Sequence, residues 1–496
     1  MVVPPYRRES TRFVRRIERF LPSVTRDRFF AGDLMNMIDL QEEIFDLQID
    51  LQNAIGRVKP LVRKDPDARA HLENLRSLRW YSRRLGDALA WHFLASNRQH
   101  IDALSHNHLT PIPLNKESDG VRGIWLTARS QVGPLWGIPL VHDITSCLRV
   151  GDITFMNVEG FDHANPPDEP PASLKLIHRT IEVKTRRVSE TAVDDKSTDI
   201  TLQVTMIGNE PFPDLPVAPP PEPGYDPPAA PLRRDDPRVD RQLRRMDVAV
   251  ARRDATLNAI NEVDGVHHIT LSKDGDDRHH WPELRRAIRK ARREGYAFFS
   301  IDGFVGYSVH YNPDGITSED MGREELVRDV SEHLTIRNSD RNSLTIGTLP
   351  IDEDSHYATE IMPFFLYDIP QRAMKEMLRH QLVVTTLLNI GRVEKALADA
   401  GFEIIRKSND VRSFAYATEL TWPSGEKFHI ESGAPWDDVM VATHELLGLD
   451  SVIAKAVALL DMPNRISIEE FRRTWEREAE KGNSKSLPKD DTTSAA

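Results

Sequence analysis

The chain has 496 residues, enough for two or three domains, and its 39% hydrophobic and 29% charged residues suit a globular protein rather than a fibrous or disordered one. A single cysteine, Cys147, excludes an internal disulfide framework and a four-cysteine metal site and suits a reducing compartment. The formal net charge of −12 excludes a uniformly basic nucleic-acid binder, so a polyanionic partner must meet a local basic patch, within the roughly 10 Å over which screened charges act.

The N-terminus is too charged for a secretory leader, and no apolar run approaches a membrane span, so a cytoplasmic location is expected. Arg7, Arg8, Arg12, Arg15, Arg16 and Arg19 crowd this end as a first basic patch. A helix is predicted over about 33–56, with Asp33 as its cap and Gly56 at its end. Met37, Leu40, Ile44, Leu47, Leu51 and Ala54 form a heptad seam along it. The seam can pair two copies as a homodimer, but its shortness favours packing inside one chain. A second helical stretch runs over about 66–103, and 104–121 reads as loop.

Strand-like runs follow at 123–127, 137–145 and 148–157, then a proline-rich loop over 158–174, and further strands at 180–185 and 200–207. The stretch Pro211 to Pro237 reads as an extended polyproline-type insertion. A helix is predicted over 239–260, with Gln242 and Arg245 beside its apolar stripe, and a strand over 266–271. Pro282 opens a basic helix that stops at Gly295, carrying Arg285, Arg286, Arg289, Lys290, Arg292 and Arg293 as a second basic patch. Strands at 296–301 and 305–311 turn across Asp302-Gly303. From about 320 an α+β region is expected, with a helical region over 370–400, strands at 402–405, 413–420 and 427–431, and helices at 436–447 and 451–460. A polar tail over 481–496 reads as disordered.

The chemistry gathers between Val150 and Arg186. Gly151-Asp152-Ile153-Thr154-Phe155 and Thr180-Ile181-Glu182-Val183-Lys184-Thr185 each alternate apolar and polar residues, as strands with one buried face do. Asp152 and Thr154 share one face of the first, Glu182 and Lys184 one face of the second. If the strands are neighbours, two carboxylates and an ammonium converge. Carboxylates hold a hard cation such as Mg²⁺ or Mn²⁺, which activates water toward a phosphodiester, and the lysine orients or deprotonates that water. The alternative is an ordinary solvated strand face. Asp194-Asp195-Lys196 repeats the acidic-x-Lys spacing, but in a polar run that reads as loop.

On Asp152 and Glu182-Val183-Lys184 the chain resembles the PD-(D/E)XK nuclease superfamily. The resemblance implies an α/β fold with a restriction-endonuclease-like αβββαβ core. It would occupy residues 70–312, interrupted by the insertion at 209–237, behind an N-terminal helical segment at 1–69 and ahead of a C-terminal α+β domain at 320–480. It implies a Mg²⁺-dependent endonuclease acting on DNA, in defence against foreign DNA. Asp152, Glu182 and the Val183 carbonyl would hold the metal, and Lys184 the attacking water. Asp87, on the preceding helix, matches a place where some members carry a supporting acid, although an ordinary surface carboxylate is the expectation here. Gln242 matches a glutamine that faces the site in several such nucleases. The rival reading is a non-catalytic interaction protein on a decayed nuclease fold.

Other constellations are weaker. His142 and Asp143 line the same region but lack a third ligand at metal spacing. His444-Glu445 has Gly448 where a zincin needs its second histidine. Neither a phosphate-binding glycine loop with Lys-Ser/Thr nor a Gly-x-Ser-x-Gly elbow occurs, and Cys147, in an apolar run, reads as an inert buried thiol.

Overall fold

A computed structural model of the chain describes residues 5–24, 34–94, 96–105, 114–131, 137–148, 150–158, 176–194, 197–208, 244–249, 251, 259–263, 266–270, 278–321, 324–334, 344–349, 361–406, 414–433, 436–474 and 476. Asp33, Gln242, the proline-rich segments over 159–174 and 211–237, and the tail over 481–496 lie outside them. The protein is mixed α/β with small sheets, divided into two compact units: 1–253 with 312–316 and 349–383, and 254–311 with 317–348 and 384–496. Residues 254–311 therefore belong to the second unit, and the chain divides earlier than the change of character near residue 320.

The first unit opens with α1 (Pro5–Val24), whose Phe13, Ile17, Phe20, Leu21 and Val24 recur at helical spacing and are buried. Arg8, Arg12, Arg15 and Arg19 form the exposed stripe. α2 (Leu34–Val58) buries the heptad seam against α3 (Pro66–Phe93) of the same unit. Met37, Ile44, Leu47, Leu51 and Ala54 of the seam are buried within the unit, and Leu40 is half-buried. Gln41, Gln48 and Gln52 lie along α2 and clamp main chain. Gln41 donates to the Pro139 carbonyl (2.9 Å) and accepts from Val141 N–H (2.9 Å), Gln48 donates to the Ile144 carbonyl (2.8 Å), and Gln52 to that of Leu114 (2.8 Å). A free strand edge is a row of unpaired polar groups, and a side-chain amide here does the work of a neighbouring strand.

The stretch predicted as one helix over 66–103 is two. α3 ends at Phe93, the chain turns through Ser96 at φ 57°, and Asn97 caps α4 (Arg98–Leu104). The strand predicted at 123–127 is helical and part of α5 (Asp119–Gln131), with Ser118 Oγ accepting from Val121 N–H at 3.2 Å. Gly123, Ile124, Thr127 and Ala128 are buried at offsets of one, four and five, a helical face that five residues are too few to separate from alternation.

Four antiparallel strands follow in the order β1 (Ile138–Val141), β2 (Ile153–Val158), β3 (Leu176–Asp194), β4 (Ser197–Gly208). Val141, Ile153, Phe155, Ile181 and Val183 form one face, packed on Ile124 and Ala128 of α5. The opposite face turns toward α3, where His178 Nε2 meets the Phe93 carbonyl at 2.9 Å. Of the helix predicted over 239–260, residues 244–249 and 251 are helical, with Met246 and Ala249 buried.

In the second unit β5 (Ala259–Val263) pairs with β6 (Val266–Thr270) as a separate two-stranded sheet. Residues 266–271 therefore do not supply a fourth strand to the β1–β4 sheet. Basic helix Trp281–Glu294 ends at Gly295 (φ 81°), as read from the sequence. A four-stranded sheet follows in the order Tyr296–Ile301, Val305–Tyr311, Leu382–Asn389, Leu344–Leu349. The helical region predicted over 370–400 is helix Gln371–Leu378, which belongs to the first unit, strand Leu382–Asn389 and helix Ile390–Asp399. Its middle, LVVTTLLN, is rich in β-branched residues and follows a turn through His380 at φ 55°.

Candidate active site

β1 ends at Val141 and the chain makes one 3-10 turn, His142–Ile144. It re-enters the sheet through Gly151 and Asp152. Gly151 has φ 73°, and a Cβ there would lie 2.6 Å from Thr180 Cγ2 and 2.9 Å from the Ile181 carbonyl oxygen, so only glycine passes. The main chain then fixes Asp152. Its N–H donates to the Ile181 carbonyl (2.8 Å), and its carbonyl accepts from His142 N–H (2.9 Å).

The register pairs Ile153 with Ile181 and Thr154 with Thr180; Asp152 precedes β2, with its N–H turned to Ile181 of β3 and its carbonyl to His142, and the Glu182 charge acts on its carboxyl. Residues opposite one another project to the same side, so Thr154, Thr180, Glu182 and Lys184 share a face, and Asp152 joins them from the turn that enters β2. Asp152 Oδ2 accepts from Val183 N–H at 2.6 Å. Lys184 Nζ donates to Glu182 Oε1 at 2.6 Å. The structure thus brings Asp152, Glu182, Val183 and Lys184 together. A strand residue sends its N–H and C=O from the same edge, so the Val183 carbonyl also leaves β3 on the Asp152 side.

The electrostatics single out one group. Burial, and then the Glu182 charge, push the Asp152 carboxyl up to about 7; the Val183 N–H opposes the rise, Asp143 adds to it and Lys184 opposes it. Lys184 offsets only a small part of that rise. Two carboxylates and a main-chain carbonyl are hard oxygen donors, which fit Mg²⁺ or Mn²⁺ in both chemistry and charge.

His142 is buried with its ring 3.1 Å from the Gly151 carbonyl through Nδ1 and 2.8 Å from Thr154 Oγ1 through Nε2. Thr154 Oγ1 lies 2.8 Å from Thr180 Oγ1. With both ring nitrogens engaged, His142 is no metal ligand, and the His142–Asp143 pair drops out as a metal site. Thr154 and Thr180 were not singled out from the sequence. Their signal was the polar parity that flags Asp152 and Glu182.

Asp87 corrects an expectation. It is fully buried, not a surface carboxylate. Its Oδ1 accepts from Ser146 N–H (2.5 Å) and Cys147 N–H (2.9 Å), and its Oδ2 from Arg84 Nη1 (2.9 Å) and the Ser146 hydroxyl. A carboxylate so engaged fastens α3 to the 142–148 turn. Gln242 lies outside the described residues, as do Asp195 and Lys196. Cys147 is buried and not in a disulfide. Helix Trp436–Glu445 ends before Gly448, so the position a second zincin histidine would need is not on that helix.

One cluster was not foreseen. Asp329, Glu332 and His333 bring ligand atoms within 4.8 Å of one another on helix Glu324–His333 of the second unit. Tyr296 already donates to Asp329 at 2.9 Å, and His333 stacks on Phe298. Compared with known proteins, the chain matches no family model, no curated protein and no solved structure.

Proposed function

We propose that the chain is a metal-dependent nuclease that hydrolyses phosphodiester bonds of DNA on a PD-(D/E)XK-like core. The observation that carries this reading is the meeting of Asp152 with Glu182-Val183-Lys184 on adjacent strands, joined by the 2.6 Å bond from Val183 N–H to Asp152 Oδ2. The order α5, β1, β2, β3, with the aspartate at the mouth of β2 and acidic-x-Lys inside β3, agrees with the first half of an αβββαβ core. The helical residues 244–249 come after these strands in the chain, in the order its second helix would take. The place beside β3 is taken by its hairpin partner β4 rather than by a strand after that helix.

Asp152, Glu182 and the Val183 carbonyl would hold Mg²⁺ or Mn²⁺. When bound, the cation polarises the phosphate and lowers the pKa of water. Lys184, partly exposed and bonded to Glu182, orients the attacking water and offsets charge gathering on the phosphate oxygens. The charges of Glu182 and Asp143 raise the Asp152 pKa, and a cation held there would offset them. The exposed Arg8, Arg12, Arg15 and Arg19 of α1 give the same unit a cationic surface for a polyanion despite the chain's net charge of −12. Restriction of foreign DNA is the biological setting we propose.

Incubation of the full chain with supercoiled plasmid decides the reading. Cleavage should require Mg²⁺ or Mn²⁺, and Lys184→Ala should lower it by about 100-fold or more. A parallel assay on RNA separates the two substrates. Wild-type protein inert toward both nucleic acids with either metal would contradict the proposal and favour a non-catalytic role.

A further inference from the structure

Asp152 can serve a cation only if its carboxylate is aimed, and the chain reaches it through a glycine. Gly151 has no Cβ to resist rotation of the peptide that follows it. That peptide is held from both sides: its N–H, that of Asp152, donates to the Ile181 carbonyl (2.8 Å), and its carbonyl, that of Gly151, is held by His142. The main-chain N–H of His142 donates to the Asp152 carbonyl (2.9 Å) and its ring Nδ1 lies 3.1 Å from the Gly151 carbonyl. One residue of the preceding turn thus grips two consecutive carbonyls at the entrance of β2.

The proton positions follow from donor and acceptor chemistry. A carbonyl only accepts, so Nδ1 carries the hydrogen. In the neutral ring Nε2 is then an acceptor and takes the Thr154 hydroxyl hydrogen at 2.8 Å. Having donated, Thr154 Oγ1 accepts from the Thr180 hydroxyl at 2.8 Å. The bonds run in one direction, from Thr180 to Thr154 to His142 to Gly151. Thr154 is 0% exposed, His142 3% and Thr180 7%, so each lost partner leaves a polar group away from solvent. A flat ring with nitrogens on two edges spans this gap. Asparagine reaches the Gly151 carbonyl alone, and glutamine the Thr154 hydroxyl alone.

We infer that His142 is a positioning residue for Asp152. Its ring holds the Gly151 carbonyl and thereby the direction in which the Asp152 carboxylate meets the divalent cation. This inference rests on the nuclease reading of the same site. The Gly151 contact does the aiming, and the Thr154–Thr180 chain holds the ring in place for it.

The test is direct binding of Mn²⁺ to the full chain, followed by electron paramagnetic resonance at one fixed pH, beside the Mn²⁺ dependence of plasmid cleavage. Groups behind a metal ligand typically change affinity 10- to 100-fold, so His142→Ala and His142→Gln should each weaken Mn²⁺ binding about tenfold or more, with kcat at saturating Mn²⁺ within about threefold of wild type. His142→Asn, which keeps the Nδ1-like donor, should restore the affinity to within about threefold. A purely structural histidine would not separate Asn from Gln. Should His142→Ala fail to fold, the Asn and Gln variants decide alone. Wild-type affinity in the Ala or Gln variant, or equal weakening in Asn and Gln, overturns the inference while leaving the nuclease reading intact if wild type binds and cleaves. Wild type that binds no Mn²⁺ overturns both.

Discussion

Asp152 and Asp87 are two carboxylates on the same unit with opposite provisions. Asp87 faces the buried Arg84 guanidinium and three further donors, so its charge is answered where it sits. Among the described residues Asp152's carboxyl takes one N–H, from Val183, and it feels the Glu182 charge beside it. An under-compensated acid in a partly buried turn is the pattern expected where a cation belongs, and a fully satisfied one is the pattern of a fastener. The difference has a measurable sign. The folded protein holds the Asp152 proton up to about 7, well above an ordinary carboxyl, so the folded state binds more protons than the unfolded between those limits. Stability of the metal-free protein should therefore fall as pH rises from about 4 to about 7, by on the order of 4 kcal/mol from this group. Asp152→Asn should remove that part of the slope and make the metal-free protein more stable than wild type at pH 8. Urea unfolding of both proteins across pH checks it, and parallel pH profiles would contradict it.

At the scale of elements, the site depends on how α3 meets the turn after β1. A Cβ at Gly86 would lie 2.0 Å from the Ile144 carbonyl oxygen, so glycine lets the helix come in close, and Asp87 then fastens it. Asp87→Ala leaves Arg84 buried without its carboxylate and should destabilise the protein by about 3–5 kcal/mol, read from urea unfolding. A loss below about 1 kcal/mol would mean that the contact is worth no more than a surface pair. None of this pin was legible in the sequence, where a helical aspartate looks like solvent-facing charge and its partners lie some sixty residues away. The β2–β3 pair was legible, because Ile153, Phe155, Ile181 and Val183 alternate with polar neighbours and tertiary structure keeps that parity. The misread elements failed for the complementary reason. The five residues 123–127 fit two periods, and 370–400 hides the β-branched strand Leu382–Asn389 between two true helices. The separate hairpin of β5 and β6 shows the same limit, since a strand's own pattern does not say which sheet it joins.

At the scale of the molecule, a chain of net charge −12 keeps its exposed arginine stripe on α1 and its candidate site within one compact unit, while the basic helix Trp281–Glu294 belongs to the other. Overall charge therefore says little about either surface, and function rests on local arrangement. The measurement closest to the central claim is anomalous diffraction from crystals soaked in Mn²⁺. The account predicts a peak bonded to an oxygen of both Asp152 and Glu182, at roughly 2.0–2.3 Å, and lost in Asp152→Ala. A soaked crystal with no peak between those two carboxylates, or a peak that survives Asp152→Ala unchanged, would contradict it.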